Sequence, residues 1–479
     1  MPSSNYSAPS DFSSDLGSLE TQFQAELDRS ELTRPMWMLW MLSAGLIALD
    51  GFDFFIIGVA MPFIQRDFGL NAGWVGAIAT AALAGALVGS LTLGPITDRV
   101  GRQLMLLLDI GLFVVASAAT ALAWNAESLL IFRFLVGVGI GADYPISVAY
   151  ITENVPARVR GRMVIGAFSF QSIGALLGAV IGWATIWIFQ QSQPDLAIGY
   201  AWRWMLGVGV VLSLLVGGLR LLFLLESPSY YLAKEEYDKA SEAASELLGK
   251  DIVLKPNGEL DSAQTEKSEQ KSLGYRDLFS AQYFQQTTLA AIPWFLQDIA
   301  TYGIGIFTPT IIAALAFSGE ENLLAQEMAS AKGAAIVNVF LVLGFLIAIA
   351  LVDRIGRIPL QVSGFIGMAI GLGILSLSDG NAKLGLVLVG FVLFNLMMNL
   401  GPNSTTFLLS GELFPPAIRA SGAGLAGGIA KLGAVLGALC LPVLQESFGL
   451  GVVLRSLAFL CLLAALITYK LRAAVPQRT

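Results

Sequence analysis

Histidine is absent from this 479-residue chain, and charged residues make up only 13% of it. Without an imidazole, proton chemistry near neutral pH falls to carboxylates, lysine or tyrosine. The two cysteines, Cys440 and Cys461, both lie inside apolar stretches, so they indicate packing residues rather than a disulfide or a metal site. The net charge of −7 comes largely from the N-terminal segment and a central polar stretch, and it does not indicate nucleic-acid binding.

Hydrophobic residues make up 55% of the chain, and its mean hydropathy is +0.71. Apolar runs of about 20 residues or more recur along the chain, which is typical of a polytopic helical protein of the lipid bilayer. We predict an all-α membrane protein with twelve transmembrane helices in two six-helix bundles. The predicted spans are 36–62, 72–97, 103–124, 126–150, 162–190, 203–224, 285–316, 329–351, 358–377, 384–410, 420–444 and 451–471.

Polar segments separate the two predicted bundles, 36–224 and 285–472. The tail 1–35 lacks the basic start and short apolar core of a signal peptide, and its pattern favours an amphipathic helix around 18–30. The central loop 225–284 begins with a predicted surface helix at 230–248 and continues as a linker. A short C-terminal tail, 473–479, ends the chain. Six spans, a loop and six spans is the layout of a two-bundle transporter.

Lysine and arginine in the short loops concentrate on one side of the predicted spans. The positive-inside rule then places both termini and the central loop in the cytoplasm. We therefore expect a multi-pass protein of the plasma (inner) membrane.

The seventh span opens with an unusual polar stripe. Trp294, Asp298 and Tyr302 are spaced i, i+4, i+8, so on a helix they share one face. An aspartate in such an apolar run is costly in hydrocarbon unless it faces a protein interior or a wet cavity. The stripe therefore favours a binding site, and the alternative is a satisfied polar contact between packed helices.

Ionisable residues in other spans suggest proton handling. Asp50 and Asp53 are three residues apart in span one, and two carboxylates this close are not easily both ionised. Arg133 in span four is a candidate partner for one of them. A lysine as deep as Lys431 in span eleven indicates a counter-ion or an attraction for anions. Asp109 in span three is shallower. A purely structural ion pair is the alternative for the span-one acids.

Three further spans carry polar groups in apolar surroundings. Span four contains Asp143 and Tyr144 next to a glycine-rich packing stretch, and span five contains Gln171. Span ten contains Gly401-Pro402-Asn403 followed by small hydroxyl residues. Gly-Pro in mid-span frees backbone groups that the hydroxyls can satisfy, although a broken helix lining a cavity is equally compatible.

Charged motifs repeat between the two halves of the chain. Asp98-Arg99-Val-Gly-Arg102 follows span two, and Asp353-Arg354-Ile-Gly-Arg357 follows span eight. The second motif pair comprises Glu153 and Arg160 after span four and Glu412 and Arg419 after span ten. These pairs resemble the gating motifs of the major facilitator superfamily, and Leu225-Glu226-Ser-Pro228 resembles that of its sugar-porter-like branch. Acids and bases at such helix ends can pair across the two bundles and latch one state.

The intramembrane residues together resemble the phosphate:proton symporters of that superfamily. The resemblance implies that the phosphate site is formed by Asp143, Tyr144, Gln171, Trp294, Asp298, Tyr302 and Asn403. It implies proton coupling by Asp50, Asp53, Arg133 and Lys431, with Asp109 where that family tends to carry an acid. Phosphate is then the expected small anionic substrate, protons are co-transported, and the proton gradient supplies the energy without any cofactor or metal.

Selectivity for phosphate can be reasoned from hydrogen bonding. An ionised Asp298 accepts a hydrogen bond from a P–OH group, whereas sulfate has no O–H near neutral pH to offer. Other small organic anions, such as an aromatic acid or a phosphate ester, and sugars are alternative substrates. A non-transporting nutrient sensor is a remote alternative. The chain shows no nucleophile–base cluster that would indicate an enzyme, and we expect a monomer.

Overall fold

The computed structural model describes residues 12–100, 102–223, 225–255, 276–317, 322–378, 384–414 and 418–475. Helices make up most of these ranges, and no β-strand occurs within them. Exposed leucine, valine and tryptophan side chains cover the outward faces of the long helices, as expected of a surface that faces lipid. The side chains of Asp98, Arg99, Arg102, Asp143, Tyr144 and Arg419 lie outside the described part of the structure.

The first half of the chain forms seven helices, of which the last six correspond to the predicted spans. They are α1 Phe12–Arg29, α2 Arg34–Phe68, α3 Ala72–Val100, α4 Arg102–Ala121, α5 Ala126–Asn154, α6 Ala157–Ser192 and α7 Ala197–Phe223. We refer to α2–α7 as the N-terminal bundle. Within it, α3 packs most extensively on α5, and α2 on α6. Gly51 makes the second contact possible, because any side chain there would overlap the Gln171 carbonyl.

The rest of the chain begins with two short helices, α8 Pro228–Ala233 and α9 Tyr237–Leu248. The predicted surface helix at 230–248 is thus two helices separated by a turn. The helices that follow, which we call the C-terminal bundle, are α10 Phe284–Ile306, α11 Thr308–Ala316, α12 Leu323–Ile355, α13 Arg357–Ser376, α14 Leu384–Leu400, α15 Pro402–Glu412, α16 Arg419–Phe448 and α17 Leu450–Lys470.

Helix occupies all twelve predicted spans, which confirms the predicted fold class. Among the described residues, nine helices are long and apolar enough to cross a membrane, and the bent pair α10–α11 raises this number to ten. The apolar part of α4, Leu107–Ala121, is shorter.

Two predicted spans are broken helices. α10 and α11 meet at Phe307 with a bend of 63°. Pro309, in the first turn of α11, has no N–H to continue the α10 ladder, and its ring would clash with the carbonyl four residues earlier. The pair α10–α11 thus occupies the predicted span 285–316, with a bend that the apolar run itself does not show. α14 and α15 are interrupted at Gly401, before Pro402.

Helix α1 confirms the predicted amphipathic helix of the tail, but it is not separate from the bundle. Its apolar side chains Leu19, Phe23 and Leu27 are buried, and the helix packs on α8. The Asp28 carboxylate accepts a hydrogen bond of 2.7 Å from the backbone N–H of Ala157, at the first residue of α6. Side-chain capping of this kind satisfies an N–H that the helix itself leaves without a partner.

Further polar contacts hold α1 in place. The Arg158 guanidinium donates to the Ser30 carbonyl at 2.9 Å, and Lys250 forms a hydrogen-bonded ion pair with Glu26. Lys250 holds the pKa of Glu26 below its ordinary value of 4.5. Because the pKa of Glu26 is lower in the folded protein, the ion pair stabilises the docked helix at pH values above the unfolded-state pKa. This stabilisation is lost as the pH falls through the folded-state pKa.

Candidate functional site

The predicted stripe on α10 faces the middle of the protein. Trp294, Asp298 and Tyr302 are 7%, 3% and 5% exposed. The helical spacing places them on one face, and α16 packs along the same helix. An aspartate at this depth requires polar neighbours, because an isolated carboxylate is costly away from water.

The Tyr302 hydroxyl joins the two bundles. Lys431 of α16 donates a hydrogen bond of 3.1 Å to it, and Gln171 of α6 donates another of 3.4 Å. The Lys431 ammonium also lies 4.9 Å from the centre of the Tyr302 ring, a cation–π distance. The two hydrogen bonds use the lone pairs of the phenolic oxygen, so the O–H of Tyr302 remains able to donate to a third group.

Asp298 and Lys431 place opposite charges in this cluster. The neighbours of Asp298 include the Lys431 ammonium and the Trp294 indole. Lys431 is also within electrostatic range of Asp50, on α2 of the other bundle. Asp50 is 1% exposed. One cation is thus within electrostatic range of carboxylates from both bundles, and these residues are more than 100 positions apart in the sequence.

The second span-one acid has a partner of its own. Nη1 of Arg133 lies 2.7 Å from both carboxylate oxygens of Asp53, and Nη2 donates to the Asp53 carbonyl at 3.3 Å. The Arg133 side chain is fully buried. The sequence left open which aspartate meets Arg133, and the packing of α5 against α2 selects Asp53. Asp109 is buried on α4, where its carboxylate lies beside Gly139 of α5.

Asn403 belongs to a group of linked amides. It accepts a hydrogen bond of 2.9 Å from Gln297 and donates one of 2.8 Å to Asn399. Asn399 in turn donates to Ser172 of the other bundle at 2.9 Å. Gln297, Asn399 and Ser172 were not predicted as site residues. Gln297 and Asn399 are lone amides in apolar runs, the same signal that identified Gln171.

The break at Gly401 is stabilised by the hydroxyl groups that follow it. Thr405 donates to the Gly401 carbonyl and Thr406 to the Pro402 carbonyl, both at 2.8 Å. These carbonyls lie at the start of α15, whereas before the break the Ser404 hydroxyl donates to the Asn399 carbonyl. The helix is thus broken, and hydroxyl groups satisfy part of the backbone around the break.

The bundles contact each other on both sides of the polar cluster. On the Trp294 side, the Phe407 ring lies 4.7 Å from the Trp294 ring and 4.2 Å from that of Phe168 in α6. On the Tyr302 side, α2 packs so closely on α10 that a side chain at Gly58 would overlap the Ile306 carbonyl. A molecule held at Tyr302 would thus have bundle contacts above and below it.

Among the described residues of the charged motifs, ion pairs occur both within a bundle and between the two bundles. Arg357 forms two hydrogen bonds with Glu412, at 3.0 and 3.1 Å, inside the C-terminal bundle. Asp353 makes the connection across the bundles, to Arg162 at 3.6 Å, with both side chains largely exposed. Arg162 was not among the predicted gating residues.

The remaining predicted gating residues lie nearby. Arg160 donates to the Val155 carbonyl and to Gln24 of α1, both at 3.4 Å. Arg354 is exposed, and Glu153 is partly buried. This end of the N-terminal bundle therefore contacts the tail helix directly.

Comparisons with known proteins bear on this arrangement. A sequence profile of the family described as "Sugar (and other) transporter" matches residues 38–478. The chain is 31% identical over 429 residues to "Probable inorganic phosphate transporter 1-10" of Oryza sativa subsp. japonica, covering 81% of this chain and 77% of the relative. It is 30% identical over 426 residues to "Plastidic glucose transporter 4" of Arabidopsis thaliana, covering 87% of this chain and 74% of the relative.

A solved structure extends this likeness to the whole fold. The partially occluded inward-open conformation of the xylose transporter XylE from E. coli superposes with a TM-score of 0.72. The match covers 91% of this chain and 98% of the other, at 19% sequence identity.

Proposed function

Because the chain belongs to the sugar (and other) transporter family and has the major facilitator fold, we propose that it is an inorganic phosphate:proton symporter that works by alternating access. The observation that carries this proposal is the cluster of the buried Asp298 and Tyr302 with the partly buried Lys431, which reaches Gln171 in the other bundle. A substrate in this cluster contacts both bundles, so its binding can bias their relative movement.

The cluster is complementary to dihydrogen phosphate. Lys431 attracts the anion, and Trp294, Tyr302 and Gln171 offer N–H and O–H donors to its oxygens. Asp298 supplies an acceptor for a P–OH group. A sulfate ion has no such proton near neutral pH, so it would leave this acceptor unpaired. An unpaired buried group costs about 1–3 kcal/mol, which is enough to discriminate between the two anions.

Proton coupling requires a carboxylate that changes its charge during the cycle. Asp53 forms an ion pair with Arg133, and Asp50 is within electrostatic range of Lys431. All these residues belong to membrane-spanning helices, where moving an unneutralised charge is costly. Protonation of one carboxylate releases its basic partner and reduces the charge that the loaded bundles carry. A carrier that holds the anion without the proton, or the proton without the anion, bears an unpaired charge and is held back by the same cost. The empty carrier can return, because its Asp53–Arg133 pair is neutral as a whole, and this links proton movement to substrate movement.

The proposal also covers the oligomeric state, the membrane and the orientation of the protein. The chain acts as a monomer in the plasma membrane, and both termini, α1 and the central segment lie on the cytoplasmic side, as the loop arginines indicate. Asp143 and Tyr144 of α5 complete the phosphate site from the N-terminal bundle. Asp98, Arg99, Arg102 and Arg419 join the described pairs Arg357–Glu412 and Arg162–Asp353 in controlling the cytoplasmic gate.

A sugar is the second candidate substrate, and two observations favour it. A relative of 30% identity is named a glucose transporter. In addition, Gln171, Gln297 and Asn403 are amides of the kind that hydrogen-bond neutral hydroxyl groups. The buried Asp298 and the partly buried Lys431 distinguish the candidates, because a neutral sugar needs neither charge.

Uptake into proteoliposomes tests the proposal. Labelled phosphate is supplied outside vesicles under an inward proton gradient, with excess sulfate, arsenate, benzoate or glucose as competitor, and protein-free vesicles give the background. We expect arsenate to block uptake and sulfate to leave it unchanged. Uptake that glucose or benzoate blocks would assign the site to a sugar or an aromatic acid. Binding of phosphate without any uptake would indicate a sensor.

A further inference from the structure

Four polar side chains form a hydrogen-bonded line from Gln297, the residue before Asp298 on α10, to the contact between the bundles. They are Gln297, Asn403, Asn399 and Ser172, and we call them the amide chain. The first three belong to α10, α15 and α14 of the C-terminal bundle, and Ser172 belongs to α6 of the N-terminal bundle. The successive donor–acceptor distances are 2.9, 2.8 and 2.9 Å.

The hydrogen bonds of the amide chain all run in one direction. Nε2 of Gln297 donates to Oδ1 of Asn403, and Nδ2 of Asn403 donates to Oδ1 of Asn399. Nδ2 of Asn399 then donates to the Ser172 hydroxyl oxygen and to the Leu341 carbonyl. An amide has one donor end and one acceptor end, so the orientation of each amide sets that of the next.

Gln297 is held at the start of the chain. The Thr406 hydroxyl shares its one proton between the Pro402 carbonyl at 2.8 Å and Oε1 of Gln297 at 3.2 Å, and Nε2 of Gln297 faces Asn403. Gln297 is fully buried, so reversing or removing its amide would leave Asn403 facing the wrong partner or none. Gln297 therefore determines which end of Asn403 points toward Asn399.

Asn403 is the partly exposed member of the chain. Its Nδ2 uses one N–H on Asn399, which leaves the second N–H for an anionic or hydroxylated substrate. An Asn403 amide of the opposite orientation would present its carbonyl oxygen, which accepts from a hydroxyl or P–OH group but offers no donor to an anionic oxygen. The orientation of Asn403 therefore decides which substrate atom it can bind.

We propose that Gln297 is a positioning residue for Asn403 and that the Asn399–Ser172 hydrogen bond connects the occupied site to the contact between the bundles. This inference rests on the proposed function in one respect, that Asn403 faces the substrate. The link to Ser172 crosses the interface that must rearrange in alternating access. It lies next to Gln171, whose amide reaches Tyr302 in the same cluster.

The two ends of the amide chain should have different kinetic signatures. Gln297→Met keeps the length of the side chain but removes its amide, and we expect the KM for phosphate to rise about tenfold with a smaller change in Vmax. Ser172→Ala removes the acceptor in the N-terminal bundle while the three amides remain. We expect Vmax to fall about 2- to 10-fold with the KM unchanged.

Two matched controls separate these effects from a general loss of packing. Ser169 lies on the same helix as Ser172 and is also buried, but its hydroxyl donates locally to the Gly166 carbonyl. Asn395 lies one turn before Asn399, and its amide donates to the Val337 carbonyl within the C-terminal bundle. Ser169→Ala and Asn395→Leu should leave the ratio of Vmax to KM near that of the unaltered protein.

A second measurement does not depend on the substrate. Arg162→Cys and Asp353→Cys, introduced together with Cys440→Ser, place two thiols at an exposed contact between the bundles. The rate at which a bis-maleimide with a spacer as long as the two replaced side chains cross-links these thiols reports how often the bundles meet. Adding Ser172→Ala should slow cross-linking about 2- to 10-fold, because a hydrogen bond that favours the joined arrangement is lost. Adding Ser169→Ala should not slow it.

These results separate failure of the inference from failure of the proposed function. If the unaltered protein takes up no phosphate, the proposed function is wrong and the cross-linking still decides the role of Ser172. Equal cross-linking in Ser172→Ala and Ser169→Ala would overturn the connection between bundles. A KM in Gln297→Met that stays within about twofold of the unaltered value would overturn the positioning role of Gln297.

Discussion

Arg133 pairs with Asp53, with Nη1 at 2.7 Å from both carboxylate oxygens and the arginine fully buried. Asp50, three residues earlier on α2, is instead within electrostatic range of Lys431. The two span-one carboxylates therefore have different electrostatic surroundings. Asp53 forms an ion pair inside the N-terminal bundle, and Asp50 is within range of a lysine of the other bundle. This division allows them to respond differently to protonation and to the movement of the bundles.

The Asp53–Arg133 pair should matter for stability mainly when it is broken. Removing one partner of a buried ion pair leaves a charge without compensation, at a cost of about 3–5 kcal/mol. We expect Asp53→Asn and Arg133→Gln each to lower the melting temperature in detergent substantially. The double variant should be more stable than the sum of the two single effects predicts. Strict additivity in this double-mutant cycle would show that the pair does not stabilise the fold.

The proton gradient should drive uptake. We expect the initial rate to rise as the external pH is lowered from 7.5 to 6, because the proton is a co-substrate, and to collapse when an uncoupler is added. Asp53→Asn carries a permanently neutral side chain, so its uptake should lose this pH dependence while exchange of substrate across the membrane continues. If the initial uptake rate of the unaltered protein changed neither with external pH nor with the uncoupler, proton symport would be ruled out.

Asp298 should determine the preference for phosphate over sulfate. Asp298→Asn still fills the site, but it presents an amide where a P–OH group requires a strong acceptor. We expect the ratio of phosphate to sulfate uptake to fall about 5- to 150-fold, which corresponds to about 1–3 kcal/mol. Competition assays with both labelled anions measure this ratio.

A matched control for this substitution is Asp67→Asn. Asp67 is a carboxylate outside the site, held by Arg203 and the Trp202 indole. Its neutralisation should leave anion selectivity unchanged. The selectivity mechanism would be wrong if Asp298→Asn discriminated between the anions as well as the unaltered protein does.

Phe407 should close the path on the Trp294 side of the cluster. Its ring contacts both Trp294 and Phe168, and two such aromatic pairs together contribute about 1–3 kcal/mol. Phe407→Ala should therefore allow substrate to leak back and lower the steady-state accumulation in vesicles more than the initial rate. Phe459→Ala, at an outward-facing position, serves as the control. Unchanged accumulation in Phe407→Ala would remove this ring from the gate.

Asp28 should fasten the tail helix to the N-terminal bundle. Replacing a helix-capping carboxylate with alanine costs about 0.5–2 kcal/mol. In Asp28→Ala, we expect faster proteolysis within residues 12–33 and faster hydrogen exchange at the start of α6, with the remaining helices unaffected. Glu31→Ala, which alters a nearby acid that makes no contact with Ala157 among the described interactions, is the comparison. Equal protection in the two variants would contradict the capping role.

Local patterns were enough to predict the helices and the main stripe of the site. Runs of apolar residues long enough to cross a bilayer specify helix, because each backbone group must be hydrogen-bonded within its own segment. The i, i+4, i+8 spacing placed Trp294, Asp298 and Tyr302 on one face for the same reason. Breaks were only partly predictable, since Gly401-Pro402 signals one, whereas Pro309 alone did not specify a bend of 63°.

Tertiary packing decided how the polar groups are paired. Asp50 and Asp53 are close in sequence, so only the approach of α5 to α2 selects the partner of Arg133. The same holds for Gln297, Ser172 and the contact of Arg162 with Asp353, which join segments more than 100 residues apart. The physical reason is that helix formation depends on near neighbours, whereas the pairing of buried charges and amides depends on how the helices are rotated and spaced against each other.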